Sequence, residues 1–244
     1  NGKYYVIADD GKMYSSTNGY TWTGTNGDIS DSNYEFQSLL FVFYDKLWCI
    51  MKSNTDNTYH FATSVDGQTW IVSGLVPNNF PIGDFSSVSF TSRTNQPKVV
   101  VAGGVGVNGD NLQNIWSTED GSYWIDFSTE NTTMGSLYGS TIIHYGDKLL
   151  MFGGLKDDGS LADSTYLESK DEGLSWSVPD TTYNYLREPH YSTINGVTDT
   201  TYTYYEPRAY PCVVQVTKDN HFGTKDYFIY LIGGVIPREQ KVFK

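Results

Sequence analysis

The acidic residues and histidines of the sequence carry its potential for acid–base and metal chemistry. There are 28 Asp and Glu residues and four histidines, His60, His144, His190 and His221. No spacing typical of a metal site joins the histidines, so the sequence predicts neither a metal nor a cofactor. Hydrolysis of a glycosidic bond needs two carboxylates across a cleft, and 28 candidates do not single out a pair. The sequence therefore assigns no catalytic residue.

Two short Asp-rich stretches are candidates for a calcium site. They are "VNGDN" at 107–111, which contains Asp110, and "KDDGS" at 156–160, which contains Asp157. Carboxylate and carbonyl oxygens are the ligands that Ca²⁺ prefers, but neither stretch follows the spacing of an EF-hand loop. Ordinary polar turns are the favoured interpretation, and Ca²⁺ is the alternative.

Aromatic and cationic side chains cluster in one long segment, residues 179–209. Within it, "STINGVTDTTYTYY" contains Asn195-Gly196, the favoured two-residue turn of a β-hairpin. Rigid aromatic rings with Arg are suited to contacts with sugars or proteins, so this segment is the predicted binding element. The alternative is that the rings cover another part of the same protein. The candidate residues are Tyr183, Tyr185, Arg187, His190, Tyr202, Tyr204 and Arg208.

The composition predicts an all-β protein. Among 244 residues there are 20 Tyr, 12 Phe, 6 Trp and 24 Gly, together with many Thr and Val, and no long stretch shows helical periodicity. The net charge of −12 disfavours nucleic acid and anionic membrane surfaces as partners. No apolar run approaches the roughly 18 residues of a membrane-spanning helix, so membrane insertion is not predicted.

The N-terminus and the two cysteines bear on the cellular setting. "NGKYYVIADDGKMY" has neither a basic start nor an apolar stretch, so it is not a signal peptide and the chain reads as a mature or trimmed segment. Cys49 and Cys212 lie within apolar strand patterns, which predicts buried free thiols rather than a disulfide.

Four octets of similar sequence recur along the chain. Aligned without gaps, they share Ser or Thr at the first position, Gly at the fifth and Trp at the last, and successive Trp residues are 48, 54 and 52 residues apart. Each has the composition of a tight turn between strands, closed by a large apolar ring. A structural role repeated in each unit is therefore predicted. The octets are "SSTNGYTW" at 15–22, "TSVDGQTW" at 63–70, "STEDGSYW" at 117–124 and "SKDEGLSW" at 169–176.

The strands around the octets build the predicted architecture. Before the second, third and fourth octets stand a strand, a polar turn and a nearly unbroken apolar strand, as in "GSTIIHYGDKLLMFGGL". With the strand that carries the Ser and the one that begins at the Trp, each such unit has four strands. Four antiparallel strands repeating at about 50 residues are typical of a β-propeller blade. A stacked solenoid is the alternative.

We predict one propeller domain over residues 1–244, with five blades. The two ends supply partial blades, so either strands from both termini share a blade or sequence beyond these ends completes the ring. The predicted blades span approximately 1–30, 35–75, 85–128, 138–178 and 208–244, with 179–209 inserted as a long loop and hairpin.

The octets resemble the Asp-box of sialidase-type (BNR) propellers, and "VVVAGGV", "LLMFGGL", "IYLIGGV" and "EPRAYPCVVQV" resemble kelch repeats. The hybrid is similar to propeller domains of secreted bacterial surface lipoproteins. This resemblance implies an extracytoplasmic protein, secreted or anchored at the outer surface. The residues that carry the Asp-box resemblance are Ser15, Gly19, Trp22, Asp66, Gly67, Trp70, Asp120, Gly121, Trp124, Ser169, Asp171, Gly173 and Trp176.

The catalytic residues of the resembled families are not matched. Sialidases use an arginine triad, but the Arg-Ile-Pro motif of that set is absent and the chain has four arginines in all. Kelch-type copper oxidases need two His, two Tyr and a Cys cross-linked to Tyr, a set that the four histidines do not reproduce.

These patterns favour a non-catalytic binding module for glycan or protein. Its binding face is predicted at the end of the sheets opposite the octets, where loops are held by a rigid scaffold. A glycoside hydrolase acting at the channel mouth and a purely structural spacer are the alternatives. The candidate loops are 26–36, 53–58, 75–84, 105–114, 128–138, 154–164 and 179–209.

Overall fold

The computed structural model describes residues 2–8, 12–24, 33–38, 41–127, 134–162, 166–178, 187–194, 197–204, 209–219, 225–232 and 234. In these residues all regular secondary structure is β-strand, and every named strand pair is antiparallel. The predicted all-β class is confirmed. Within the same residues there is no helix with the length and apolar character that crossing a membrane requires.

The chain divides into two compact units, residues 1–130 and 131–244. The first unit contains three successive sheets, and each has one octet between its last two strands. Their strands are β1 (Tyr4–Ile7), β2 (Met13–Ser16) and β3 (Thr23–Gly24); β4 (Tyr34–Phe36), β5 (Phe41–Phe43), β6 (Lys46–Ser53), β7 (Tyr59–Ser64) and β8 (Ile71–Leu75); and β9 (Ser86–Thr91), β10 (Pro97–Ala102), β11 (Ile115–Thr118) and β12 (Ile125–Asp126).

The third of these sheets has the complete four-stranded pattern. Its order is β12-β11-β10-β9, so each strand pairs with the next along the chain. In β10, Val99, Val100 and Val101 are fully buried, as expected for a strand covered on both faces. The second sheet differs in its first strand, because β4 and β5 both pair with β6. Between them Ser38 Oγ accepts a hydrogen bond of 3.0 Å from the backbone N–H of Ile50, where the ladder is interrupted.

The second unit holds one sheet of three strands and two hairpins. The strands are β13 (Thr141–Tyr145), β14 (Lys148–Phe152) and β15 (Tyr166–Ser169) in the sheet, β16 (Arg187–Ile194) and β17 (Val197–Tyr204) in the first hairpin, and β18 (Cys212–Asp219) and β19 (Lys225–Ile232) in the second. A single bridge between Glu168 and Ser177 adds the start of a fourth strand beside β15. Val213 and Ile229 of the second hairpin pack on the apolar cluster of Leu150, Phe152 and Tyr166.

The main core of the first unit lies between its second and third sheets. The rings of Phe61 and Trp124 stack at 5.3 Å, and Phe41 stacks on Trp48 at 6.1 Å. Phe80, from the connection between β8 and β9, is 1% exposed and contacts Phe61, with ring centroids 5.3 Å apart. Aromatic packing therefore ties one sheet and one connection to the next sheet.

The described parts of both chain ends are β-structure. The first sheet contains three strands, and the hairpin of β18 and β19 is the last element along the chain that the structure describes. The segment "KVFK" at 241–244 lies outside the described residues, so the blade count, single domain and ring closure remain predictions. The predicted burial of Cys212 is wrong: Cys49 is buried, but Cys212, the first residue of β18, is exposed.

Candidate binding surface

The four octets form related hydrogen-bonded turns at the end of their strands. In each turn a Ser or Thr hydroxyl accepts the backbone N–H of the glycine at 2.8 Å. In the second turn Asp66 Oδ1 then accepts the backbone N–H groups of Gln68 and Thr69, at 2.8 and 2.9 Å. The side chain of Asn18 plays the same part in the first turn, and that of Asp120 in the third. The turns therefore close without any ligand.

The alignment of the octets needs a correction. The hydroxyl that accepts from Gly19 belongs to Ser16, whereas Ser15 is a strand residue paired with Thr23. In the first three turns the glycine lies three residues after the hydroxyl, and in the fourth it lies four residues after Ser169. The extra residue is Glu172, whose φ of 61° lies in the left-handed region. A gapless alignment hides this insertion because it fixes Gly and Trp.

The carboxylates of these turns are committed to their own backbone. Hydrogen bonds from the N–H groups of Thr69 and Gln68 hold the pKa of Asp66 below its usual value, and those of Tyr123 and Ser122 do the same for Asp120. Burial raises the pKa of Asp171, but hydrogen bonds from Ser175 and Ser169 outweigh it, so the net shift is downward. These acids are therefore ionised structural acceptors rather than proton donors.

Neighbouring sheets in the first unit meet at the octet glycines. Trp48 of the second sheet packs on Gly121 so closely that an added Cβ would lie 2.4 Å from its ring. Tyr5 of the first sheet packs on Gly67, where the same distance would be 2.6 Å. Tyr44 adds a hydrogen bond of 2.8 Å from its hydroxyl to the carbonyl of Glu119. The octet end of the sheets thus joins one sheet to the next.

The opposite end of the sheets carries a second recurring turn. The backbone N–H of Gly106 donates to the carbonyl of Asp110 at 2.9 Å, and that of Lys156 donates to the carbonyl of Ser160 at 2.8 Å. The predicted residues Asp110 and Asp157 are both exposed in these turns. They occupy different positions, since Asp110 corresponds to Ser160. In each unit we call this end of the sheets the loop end; it comprises residues 53–58 and 103–112 in the first unit and residues 153–162 in the second.

A polar network on the loop end has no sequence signature. The hydroxyl of Thr58 donates to Asp56 Oδ1 at 2.7 Å and also lies 2.8 Å from His60 Nε2. The edge of Tyr34 meets the His60 ring at 5.5 Å. Hydrogen bonds from Ser53 and Thr58 lower the pKa of Asp56 to about 2. The network presents a fixed, exposed carboxylate beside two aromatic rings.

The predicted hairpin is present, and its register is defined. Ile194 pairs with Val197 across the Asn195-Gly196 position, and the ladder continues to Arg187 opposite Tyr204. Along it, His190 pairs with Thr201 and Tyr202 with Pro189. The hairpin brings four predicted residues onto one two-stranded sheet. The other predicted residues of this segment, Tyr183, Tyr185 and Arg208, lie outside the described residues.

Two predicted binding loops contribute residues to the core. In the connection 75–84, Phe80 is 1% exposed and Ile82 is buried. Met134 and Leu137, from the connection 128–138, are also buried. Phe80 enters the core because its ring contacts those of Phe61 and Trp124. The polar residues around it in the sequence obscure this burial.

The comparisons with known proteins define the family. Residues 1–244 match the model of the family described as the DUF6242 beta propeller domain. The chain belongs to this family. No curated protein sequence matches it significantly. The fold is similar to that of YjhT, a propeller, with a TM-score of 0.51, 13% sequence identity and coverage of 99% of this chain and 93% of that chain. At that identity, the similarity shows the fold alone.

The DUF6242 domain is therefore a β-propeller, as predicted. Its finer resemblance to Asp-box and kelch propellers stays a prediction. In the described part of the chain, no group of three or more His, Cys, Asp or Glu side chains could hold a metal ion. Glu168, which is buried, is engaged by Lys148 at 3.0 Å and Lys170 at 2.9 Å. Several acids of the DUF6242 domain are thus occupied by structural partners.

Proposed function

We propose that this domain is a non-catalytic binding module, which recognises glycan or protein through residues at the loop ends of its sheets and through the β16–β17 hairpin. The observation that carries the proposal is the hairpin itself. It pairs eight residues from each strand but belongs to no blade sheet in the described residues. A long insertion whose described hairpin lies outside the repeated sheets is suited to recognition.

The scaffold supports this assignment of the binding face. The insertion ends near Tyr210, whose N–H donates to Gly139 O at 2.6 Å, and Gly139 precedes the start of β13, which pairs with the end of β14. The C-terminal end of the insertion thus lies at the loop end of the second unit. Loops on rigid strands hold their contact residues in place, which reduces the entropy lost on binding.

The chemistry of the described residues supports binding rather than hydrolysis. The carboxylates of Asp66, Asp120 and Asp171 serve turns at the octet end, and Glu168 is held by two lysines. A general acid of a glycosidase needs a raised pKa, whereas the pKa of each of these groups is lowered. An extracytoplasmic setting belongs to this proposal and is supported by the resemblance to surface lipoproteins.

A glycan array tests the proposal, with the whole 244-residue chain as the probe. The variant Tyr202→Ala/Tyr204→Ala alters the hairpin. The matched control is Tyr20→Ala/Tyr123→Ala, which removes two tyrosines that are 91% and 72% exposed on octet turns. We expect binding by the parent and the control, and loss of at least about tenfold in the hairpin variant, since aromatic anchors contribute roughly 2 kcal/mol or more.

Three results would contradict the proposal or a part of it. Release of sugar from the bound glycans would show a hydrolase rather than a binding module. Absence of binding to every glycan would exclude the carbohydrate version, and capture experiments with surface proteins would then test the protein version. Equal binding by all three proteins would place the site away from the hairpin.

A further inference from the structure

The two edges of the β16–β17 hairpin have different backbone groups available. The two-residue connection makes Ile194–Val197 the closing hydrogen-bonded pair, and hydrogen-bonded pairs then alternate along the ladder. On β17, the backbone groups of alternate residues from Val197 therefore face β16. Those of the intervening residues point away from the hairpin. The outward set is Thr198, Thr200, Tyr202 and Tyr204.

The outer edge of β16 contains a proline, which disfavours pairing with a further strand, whereas the outer edge of β17 contains none. Pro189 is paired with Tyr202, a position at which the backbone of β16 points outward, and proline has no N–H to offer there. β17, "VTDTTYTY", has no proline and is rich in Thr, Tyr and Val, residues that favour strands. Within the described residues β17 has no strand on its second side. An open strand edge is a template for another strand.

We propose that this edge pairs with β17 of a second copy of the chain, antiparallel about Thr201. Residues whose backbone groups point away from the hairpin must pair with residues of the same kind in the second copy. One strand can therefore slide along the other only by two residues at a time. Centring on Thr201 pairs seven of the eight residues: Thr198 lies opposite Tyr204 of the second copy, Asp199 opposite Thr203, Thr200 opposite Tyr202, and Thr201 opposite itself.

Repulsion between the two Asp199 carboxylates favours the register centred on Thr201 over the one centred on Thr200. Asp199 is the sole charged residue of β17, and the register about Thr201 places it opposite Thr203, four positions from the other Asp199. Moving the axis to Thr200 brings the two carboxylates two positions closer, and like charges near each other destabilise paired strands. The result is a four-stranded sheet of order β16-β17-β17-β16 across a twofold axis, a closed isologous contact.

The same pairing explains how the hairpin gains stability. An isolated two-stranded hairpin is marginal in water, and a four-stranded sheet is not. Because each copy carries a net charge of −12, long-range repulsion opposes the contact. Screening by salt therefore strengthens it. This self-association goes beyond the proposed ligand binding and does not depend on it.

Sedimentation equilibrium of the full chain tests the proposal at two salt concentrations, about 0.05 M and about 0.5 M. We expect a monomer–dimer equilibrium whose Kd is lower at high salt. Two variants separate pairing from general effects of charge. Thr201→Lys and Thr203→Lys add the same charge two residues apart on one strand, so their net charges are equal.

The two variants are expected to act in opposite directions. Thr203→Lys creates two Lys–Asp pairs by symmetry and should lower Kd about 2- to 20-fold, whereas Thr201→Lys places two lysines opposite each other and should raise it about fivefold. An equimolar mixture of Thr201→Lys and Thr201→Asp should dimerise more tightly than either variant alone. A parent that stays monomeric at both salt concentrations, or two lysine variants that shift Kd in the same direction, would overturn the proposal.

Discussion

The octet glycines share a backbone conformation but differ in their surroundings. Gly19, Gly67 and Gly121 have φ values of 75°, 73° and 76°, in the left-handed region that other residues enter at a cost of roughly 1–2 kcal/mol. An added Cβ would meet nothing within 4 Å at Gly19, the half-buried Tyr5 ring at Gly67 and the buried Trp48 ring at Gly121. Alanine substitutions at the three positions therefore distinguish the free energy lost through backbone strain from that lost through a steric clash with a neighbouring ring.

Alanine substitution at these glycines should give a graded loss of stability. Gly19→Ala should lower the free energy of unfolding by about 1 kcal/mol, through the backbone alone. Gly67→Ala should cost more, and Gly121→Ala about 3 kcal/mol or more, because Trp48 is held by a hydrogen bond of 3.1 Å from its Nε1 to Phe43 O. Urea denaturation of the three variants measures this, and equal losses would contradict it.

The turn carboxylates make stability depend on pH in the acid range. Their pKa values are lowered in the folded state, so they favour folding above the unfolded value of about 3.9. That contribution is lost as pH falls through the folded pKa. Asn18 shows that an amide fills the same position. Between pH 5 and pH 3 the Tm of Asp66→Asn/Asp120→Asn should therefore fall less than that of the parent, as measured by thermal denaturation. An equal fall in Tm would show that these two carboxylates do not cause the pH dependence of stability.

At the scale of elements, local patterns were predictable and long-range packing was not. The octet turns follow from hydroxyl, Asx and glycine residues three or four positions apart, and Asn195-Gly196 predicts the hairpin by the same local logic. The burial of Phe80 depends on Phe61 in β7 and on Trp124 at the end of the third octet, which belong to different sheets. The Asp56–His60 network was missed because Thr58, its central residue, has no distinctive neighbours in the sequence.

Substitution in the connection between β8 and β9 should therefore destabilise the fold, although substitutions in loops are usually tolerated. Phe80 is 1% exposed and its ring lies 4.9 Å from that of Trp124. Phe80→Ala should lower the free energy of unfolding by about 3–5 kcal/mol, because it removes a ring and leaves a cavity. Tyr123→Ala, at a position 72% exposed, is the control and should change it by less than about 0.5 kcal/mol. Similar losses in urea would place Phe80 outside the core.

For the whole molecule, the two cysteines give one reporter in each compact unit. Cys49 lies in the first unit and is fully buried, and burial raises its pKa well above the usual range of a thiol. Cys212 lies in the second unit and is exposed. Since the thiolate is the reactive form, the two residues should differ in their rates of alkylation even though both are free thiols.

Alkylation of the native protein should therefore modify Cys212 rapidly and Cys49 through transient opening of the first unit. Mass spectrometry of the peptides follows each thiol separately. Gly121→Ala should accelerate the modification of Cys49, about tenfold for each 1.4 kcal/mol of lost stability, because the reaction follows the open population. Cys212 should react at the parent rate and is the internal control. If Gly121→Ala raises the alkylation rates of Cys49 and Cys212 together, the prediction is contradicted, because the substitution then destabilises both units.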